Sequence, residues 1–174
     1  MAEERVNTKI SALKEIKSNI SRAKHYYERK SSNKELDGIF IQELPARTIM
    51  VAKNLTEPTV SNLWDYHRHF YAQIETSQRK DFDFEDVAGV ITEDGKTSMF
   101  AICTRYKSHP SLKTLPAGKY LCCNCDKENL DQTLNKMLNF AKDQYNVVPH
   151  FIIQIVVLIG ILQWNYQLQL CLNK

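Results

Sequence analysis

Five glycines in 174 residues leave this chain little material for a phosphate-cradling loop, and no Gly-rich nucleotide motif occurs. It also has no Walker-type lysine, no Gly-x-Ser-x-Gly elbow and no His-Glu-x-x-His. Acidic residues cluster only in loop-like stretches (Asp81, Asp83, Glu85, Asp86; Glu93, Asp94), where solvated charge is the ordinary explanation. Nothing here asks for an enzyme, so no catalytic residue and no cofactor is assigned. The longest apolar run, from Phe151 to Leu162, is twelve residues broken by Gln154 and Gly160. A bilayer crossing needs roughly 20 residues, so the run reads as a buried strand or hairpin and no membrane partner is expected.

Cysteine is sparse and unpaired in pattern: Cys103, Cys122, Cys123, Cys125 and Cys171 make no disulfide framework. The charged N-terminus, from Glu3 onward, is not a secretory signal, which points to a cytoplasmic protein with reduced thiols. Cys122-Cys123-x-Cys125 lacks a His or second Cys pair at ligand-like distance, so buried structural thiols are expected and no metal site. Basic charge is confined to the start. Residues 1–35 hold nine Lys/Arg against five Asp/Glu, and the remainder fourteen against fifteen. The globular part therefore has no electrostatic footprint for nucleic acid.

Residues 3–30 contain neither Pro nor Gly and place Val6, Ile10, Leu13, Ile16, Ile20, Ala23 and Tyr27 at steps of three and four. This spacing predicts an amphipathic helix with an imperfect coiled-coil seam, Lys17 and Lys24 taking later a positions. A stripe this long needs a partner, and a homodimer through residues 3–30 is expected. A helix folded back on its own domain is the alternative.

After a turn-rich link at residues 31–38 the chain repeats itself. Leu44-Pro45-Ala46 recurs as Leu115-Pro116-Ala117, 71 residues on. A strand from Ile39 to Glu43 precedes the first copy and one from Thr48 to Ala52 follows it. Thr56-Glu57-Pro58 starts a helix running to about Gln78, whose buried face is Val60, Leu63, Trp64, His67, Tyr71 and Ile74. Residues 79–86 read as a charged loop carrying Phe82 and Phe84. Val87–Thr92 and Thr97–Tyr106 form a hairpin around Asp94-Gly95, and residues 107–113 a loop.

The second copy follows the same plan. Lys119–Asn124 is a strand, Asp126 an N-cap, and Leu130, Leu134, Met137, Leu138, Ala141 and Tyr145 the buried face of a helix. Strands of roughly 150–158 and 161–172 close it. In the last, Leu162, Trp164, Tyr166, Leu168, Leu170 and Leu172 alternate with Gln163, Asn165, Gln167, Gln169 and Cys171. That amide-rich face either lines a cleft or is simply exposed. The expected fold class is α+β: an N-terminal coiled-coil helix (1–34), then residues 35–174 as a duplicated β-α-β-β unit (about 39–106 and 113–172). The units would form an antiparallel sheet with two helices and a central cleft. Trp64, Tyr66, Phe100, Tyr106, Tyr120, Trp164 and Tyr166 are amphipathic rings that suit either core or the wall of a site for flat, apolar, often cationic molecules.

His25-Tyr26-Tyr27-Glu28-Arg29-Lys30 and the following Glu43-Leu44-Pro45-Ala46-Arg47 are similar to the dimerisation helix and first strand of MerR-type transcriptional regulators. Leu115-Pro116-Ala117-Gly118-Lys119-Tyr120 and the order of elements over residues 3–172 resemble their effector-binding domain, which gyrase-inhibitor-like proteins share, with multidrug-sensing activators nearest. The resemblance implies a sensor in which a hydrophobic small molecule enters the cleft and the coiled coil relays the change to DNA-binding domains. It implies Trp64 or Tyr66, Tyr120, Ile153, Ile155 and Trp164 as ligand-binding residues, beside Phe100 and Tyr166 from the reading of the rings; Cys125 stands where some relatives have a site tyrosine. Two departures stand out. The family's N-terminal DNA-binding module is not in this sequence, so DNA would be reached only through that missing module. The buried Glu that neutralises cationic drugs is replaced in the stretch Ile152-Ile153-Gln154-Ile155. The alternatives are a gyrase-inhibitor-like protein-interaction module without a ligand, or a small-molecule hydrolase on the same scaffold.

Overall fold

The computed structural model describes residues 6–10, 13, 14, 17, 38–160 and 162–173. The chain divides into two units, Met1–Gly38 and Ile39–Lys174. In the first, residues 6–10, 13, 14 and 17 are helical, and Val6, Ile10 and Leu13 are exposed. Ile16, Ile20, Ala23, Tyr27 and the motif at 25–30 lie outside the described residues.

In the second unit, β1 (Ile39–Leu44) and β2 (Arg47–Val51) flank the first Leu-Pro-Ala. Two short helices follow, α1 (Val60–Trp64) and α2 (Tyr66–Tyr71), then a 3₁₀ turn (Thr76–Asp81). The hairpin β3 (Asp83–Glu93) and β4 (Lys96–Arg105) leads to β5 (Leu112–Leu115) and β6 (Gly118–Cys125), which flank the second Leu-Pro-Ala. Helix α3 (Leu130–Tyr145) and the hairpin β7 (Phe151–Gly160) and β8 (Gln163–Cys171) complete it. All eight strands form one antiparallel sheet in the order β1-β6-β8-β7-β3-β4-β2-β5. The architecture is α+β, as the alternation of patterns predicts. The β3–β4 turn is closed by Asp94 and Gly95, both left-handed (φ 49° and 73°), which is what a two-residue hairpin requires.

The strand order has a geometric consequence. β1 lies at one edge and β2 seventh in the order, yet only Pro45 and Ala46 join them. Six strand spacings across a flat sheet come to about 29 Å, whereas three Cα–Cα steps reach at most about 11 Å. Pro116 and Ala117 impose the same demand between β5, at the other edge, and β6, second in the order. The sheet must therefore curl until its edges meet at the Leu-Pro-Ala end. The ladder shows the exchange: Leu44 pairs with Gly118, and Leu115 with Arg47.

Curling divides the core. On the outer face, Tyr66, Phe70 and Ile74 pack with Met50, Phe82, Phe84, Val90 and Met99. Also on that face, Met137 and Ala141 of α3 pack with Leu121, Cys123, Tyr166, Leu168 and Leu170. The inner face carries no helix of this unit, yet Ile49, Ile91, Phe100, Ile102, Leu115, Tyr120, Cys122, Ile153 and Cys171 are buried there. The far end of the Phe100 ring occupies the space beside its ladder partner Gly89; a Cβ there would sit 2.2 Å from the ring.

Several expectations change. The single helix from Thr56 to Gln78 is broken at Asp65, and its N-cap is Thr59, whose Oγ1 accepts from the Asn62 N–H at 3.1 Å. The break re-phases the buried face to Tyr66 and Phe70, leaving Val60 exposed and Trp64 at 81 % exposure. Phe82 and Phe84 are core rather than loop: β3 begins at Asp83, and its charges alternate outward around Phe84. Leu112–Leu115 is a strand, paired with β2. Asp126 does not cap α3; its Oδ1 accepts from the N–H of Asn129, which takes the cap position. Tyr145 is exposed.

Gly89→Ala should destabilise the fold by about 1–3 kcal/mol through overpacking against Phe100. The check is a lower urea midpoint at unchanged slope, with Phe100→Leu in the same chain restoring part of the loss.

Candidate functional site

The inner face is built by alternation: on each strand every second side chain points into the curl. β6 supplies Tyr120, Cys122 and Asn124, and β8 supplies Gln167, Gln169 and Cys171 in register with them. β7 adds Ile153 and Ile155 opposite Gln169 and Gln167. β1 contributes Phe40 and Gln42, paired with Cys122 and Tyr120. From the other half come Phe100, Ile49 and Arg47.

Tyr120 is the centre of this face. It is fully buried, and its hydroxyl donates to the Pro116 carbonyl at 2.7 Å, tying the ring to the second Leu-Pro-Ala. The Arg47 guanidinium, from the strand after the first Leu-Pro-Ala, lies over the ring at 5.4 Å from its centroid. This contact joins the second and seventh strands of the sheet across the curl. Burial pushes the Tyr120 phenol up to about 12, with Cys171 adding to the rise and Arg47 opposing it.

An amide ladder runs beside it. Gln169 Nε2 donates to Gln167 Oε1 at 2.8 Å, and Gln167 Nε2 to Asn124 Oδ1 at 3.2 Å. Gln169 is 3 % exposed and its Oε1 has no partner. Gln42 Oε1 and the Nε and Nη2 of Arg47 are likewise buried and unpartnered. Four of the five unpartnered buried side-chain atoms among the described residues thus belong to this face, the fifth being Gln73 Nε2. A Lys113–Glu93 ion pair, from β5 and β3, also lies on it. What the arrangement offers chemically is a buried, mostly apolar face with two carbonyl oxygens and two guanidinium nitrogens left without partners.

Of the residues expected from the sequence, the curl brings together Phe100, Tyr120, Ile153 and Ile155. Trp64, Tyr66, Trp164 and Tyr166 do not face the enclosure. Trp64 is on the surface. Tyr66 packs under the first half, its hydroxyl donating to the carbonyls of Val87 (3.1 Å) and Phe100. Burial holds its phenol well above the ordinary value. Tyr166 packs with α3, and Trp164 Nε1 donates to its hydroxyl at 3.0 Å. Tyr106, also among those rings, is exposed and accepts from Thr48 Oγ1 at 3.0 Å. Cys125 lies on the α3 side. Sequence reasoning missed Gln42 and Arg47 as members of the enclosed face and left Gln167 and Gln169 undecided. The β8 alternation and the Arg47/Gly118 difference between the copies are the signals that point to them.

The five cysteines, all among the described residues, are buried and form no disulfide. Burial pushes Cys103 up to about 11 and Cys125 up to about 12, so both are thiols at neutral pH. Among the described residues no group of three or more His, Cys, Asp or Glu could hold a metal ion, and no helix is long and apolar enough to cross a membrane.

No family model and no curated protein matches the chain. Solved structures similar to it include EcmrR in a cryo-EM EcmrR–DNA complex (9 % identity, TM-score 0.49, 97 % of this chain and 68 % of that one). Another is SAV2435 bound to tetraphenylphosphonium (12 %, 0.41, 76 % and 92 %). A third is an uncharacterized conserved protein from Listeria innocua (10 %, 0.46, 83 % and 97 %). At these scores they are likenesses in outline.

The Tyr120 phenol is protonated in the fold to a higher pH than in the open chain, so its contribution to stability is whole below pH 10 and is lost as pH rises through about 12. Urea midpoints measured at pH 8 and pH 11 should fall more in the wild type than in Tyr120→Phe; equal falls would assign the alkaline loss elsewhere.

Proposed function

We propose that residues 39–174 are the effector-binding domain of a MerR-type transcription regulator, built from two copies of one strand-helix-hairpin unit, and that the inner face of the curled sheet receives a small aromatic or apolar molecule. The observation that carries this reading is the enclosed face itself. It is lined by Phe100, Tyr120, Ile153 and Ile155 and concentrates buried polar atoms that the protein leaves without partners. Interiors normally satisfy such atoms, and a site shaped for a ligand is where they are tolerated. Support for the duplication comes from the strand order, which reads the same from either end when β1, β2, β3 and β4 are exchanged with β5, β6, β7 and β8. The exposed Val6, Ile10 and Leu13 support a homodimer through residues 3–30. We assign no DNA contact to residues 39–174.

A hydrolase is the second reading, because Cys122 and Cys171 face the same enclosure. Turnover of a nitrophenyl ester that disappears in Cys171→Ala would favour it.

Differential scanning calorimetry against tetraphenylphosphonium and neutral or acidic naphthalenes tests the effector reading. At a hundredfold excess over Kd a ligand adds about 2.7 kcal/mol to native stability, so Tm should rise by several degrees with at least one compound. Absence of any shift across the panel argues against an effector site. Light scattering should give the mass of a dimer, reduced to a monomer by Ile10→Glu with Leu13→Glu.

A further inference from the structure

The polar atoms on the inner face are not a random scatter. Arg47 Nε and Nη2 lie on one edge of the guanidinium, where their two N–H bonds run nearly parallel, the spacing that meets both oxygens of a carboxylate. Both are buried and unpartnered, and no Asp or Glu pairs with Arg47 among the described residues. The one carboxylate on this face named above, Glu93, is already engaged by Lys113. The Tyr120 ring backs the guanidinium. Gln42, the ladder partner of Tyr120, and Gln169, the ladder partner of Cys122, each present an unpartnered carbonyl oxygen. Across from Gln169 stands Ile153, fully buried, so β7 sets no acid against Gln169. Arg47 has no counterpart in the other half: Gly118 occupies the matching place after Leu-Pro-Ala, and a Cβ there would meet the Asn173 side chain at 2.3 Å. Arg47 is thus a buried-edge cation of this face with no acidic partner among the described residues.

Resting on the effector-site reading above, we propose that the ligand is an anion: a flat apolar molecule bearing a carboxylate, gripped by the Nε–H and Nη2–H of Arg47. The carbonyls of Gln42 and Gln169 accept from a hydroxyl or N–H on the same molecule. Two buried guanidinium nitrogens without acceptors are costly, and a carboxylate entering their fork supplies what the protein does not.

The test holds shape constant and varies charge. Isothermal titration of the full chain with naphthalene-2-carboxylate, 2-naphthamide and (2-naphthylmethyl)trimethylammonium compares anion, neutral and cation on one ring system. The carboxylate should bind roughly ten- to a hundredfold tighter than the amide, with the ammonium weakest. Arg47→Gln should bring carboxylate and amide together, and Arg47→Lys should keep only part of the preference because an ammonium lacks the fork. Equal affinities, tighter binding of the ammonium, or a carboxylate preference that survives Arg47→Gln overturns the anion assignment and leaves the effector site standing. No binding of these three or of tetraphenylphosphonium overturns both. Should Arg47→Gln fail to fold, the three-ligand comparison on the wild type decides alone.

Discussion

Two dipeptides, Pro45-Ala46 and Pro116-Ala117, each carry the chain between strands that a flat sheet would hold far apart. The sheet can satisfy both only by curling, and most of what is distinctive here follows from that. Helices cover one face of the sheet, as in any α+β unit, but the opposite face is covered by the sheet's own closure. Proline suits the crossing because it is pre-set in φ and donates no hydrogen bond at a point where the ladder is interrupted. Leu115 is buried at the corner, and Tyr120 is bonded back to the Pro116 carbonyl. The corner and the centre of the enclosed face are thus one construction.

The strands after each Leu-Pro-Ala hold matching places in the strand order but present different side chains. By ladder position Phe100, partnered with Val51, corresponds to Gln169, partnered with Cys122. In the first half Phe100 lies over Gly89, and the pair packs the space with nothing polar left over. In the second half Gln169 sits beside Ile153, is tied by one hydrogen bond to Gln167, and keeps an unused carbonyl. The amide ladder of Asn124, Gln167 and Gln169 belongs to the half that begins at the second Leu-Pro-Ala, and Gln42 and Arg47 come to it from the first.

Much of this was legible in the sequence for physical reasons. The period-two pattern of β8 is long enough to declare both its faces, and Asp94-Gly95 declares its turn because two consecutive positive φ values have few other sources. The break at Asp65 was not legible, since neither Gly nor Pro marks it; tertiary packing of Tyr66 and Phe70 decides it. Phe82 and Phe84 were hidden by neighbouring charges that turn out to alternate with them along β3. The curl itself depends on β1 pairing with β6 and β5 with β2, long-range pairings that no local pattern encodes. For the same reason Trp64 and Trp164 looked like site residues on composition, while Gln42 and Arg47, the side chains with unused hydrogen-bonding groups, looked ordinary.

In the proposed site, Arg47 would link stability to binding. Without a ligand its guanidinium has the Tyr120 ring on one side and two buried N–H groups without acceptors, so the native state bears a desolvation cost that the unfolded chain does not. An anion in the fork removes that cost in the bound state only. On the anion reading, the free energy that destabilises the domain would reappear as affinity for an anion, and as selectivity against a cation of the same shape, which would leave both nitrogens unpaired and add repulsion. Replacing Arg47 with an apolar residue would reverse both effects, giving a more stable sheet with less to distinguish one flat ligand from another.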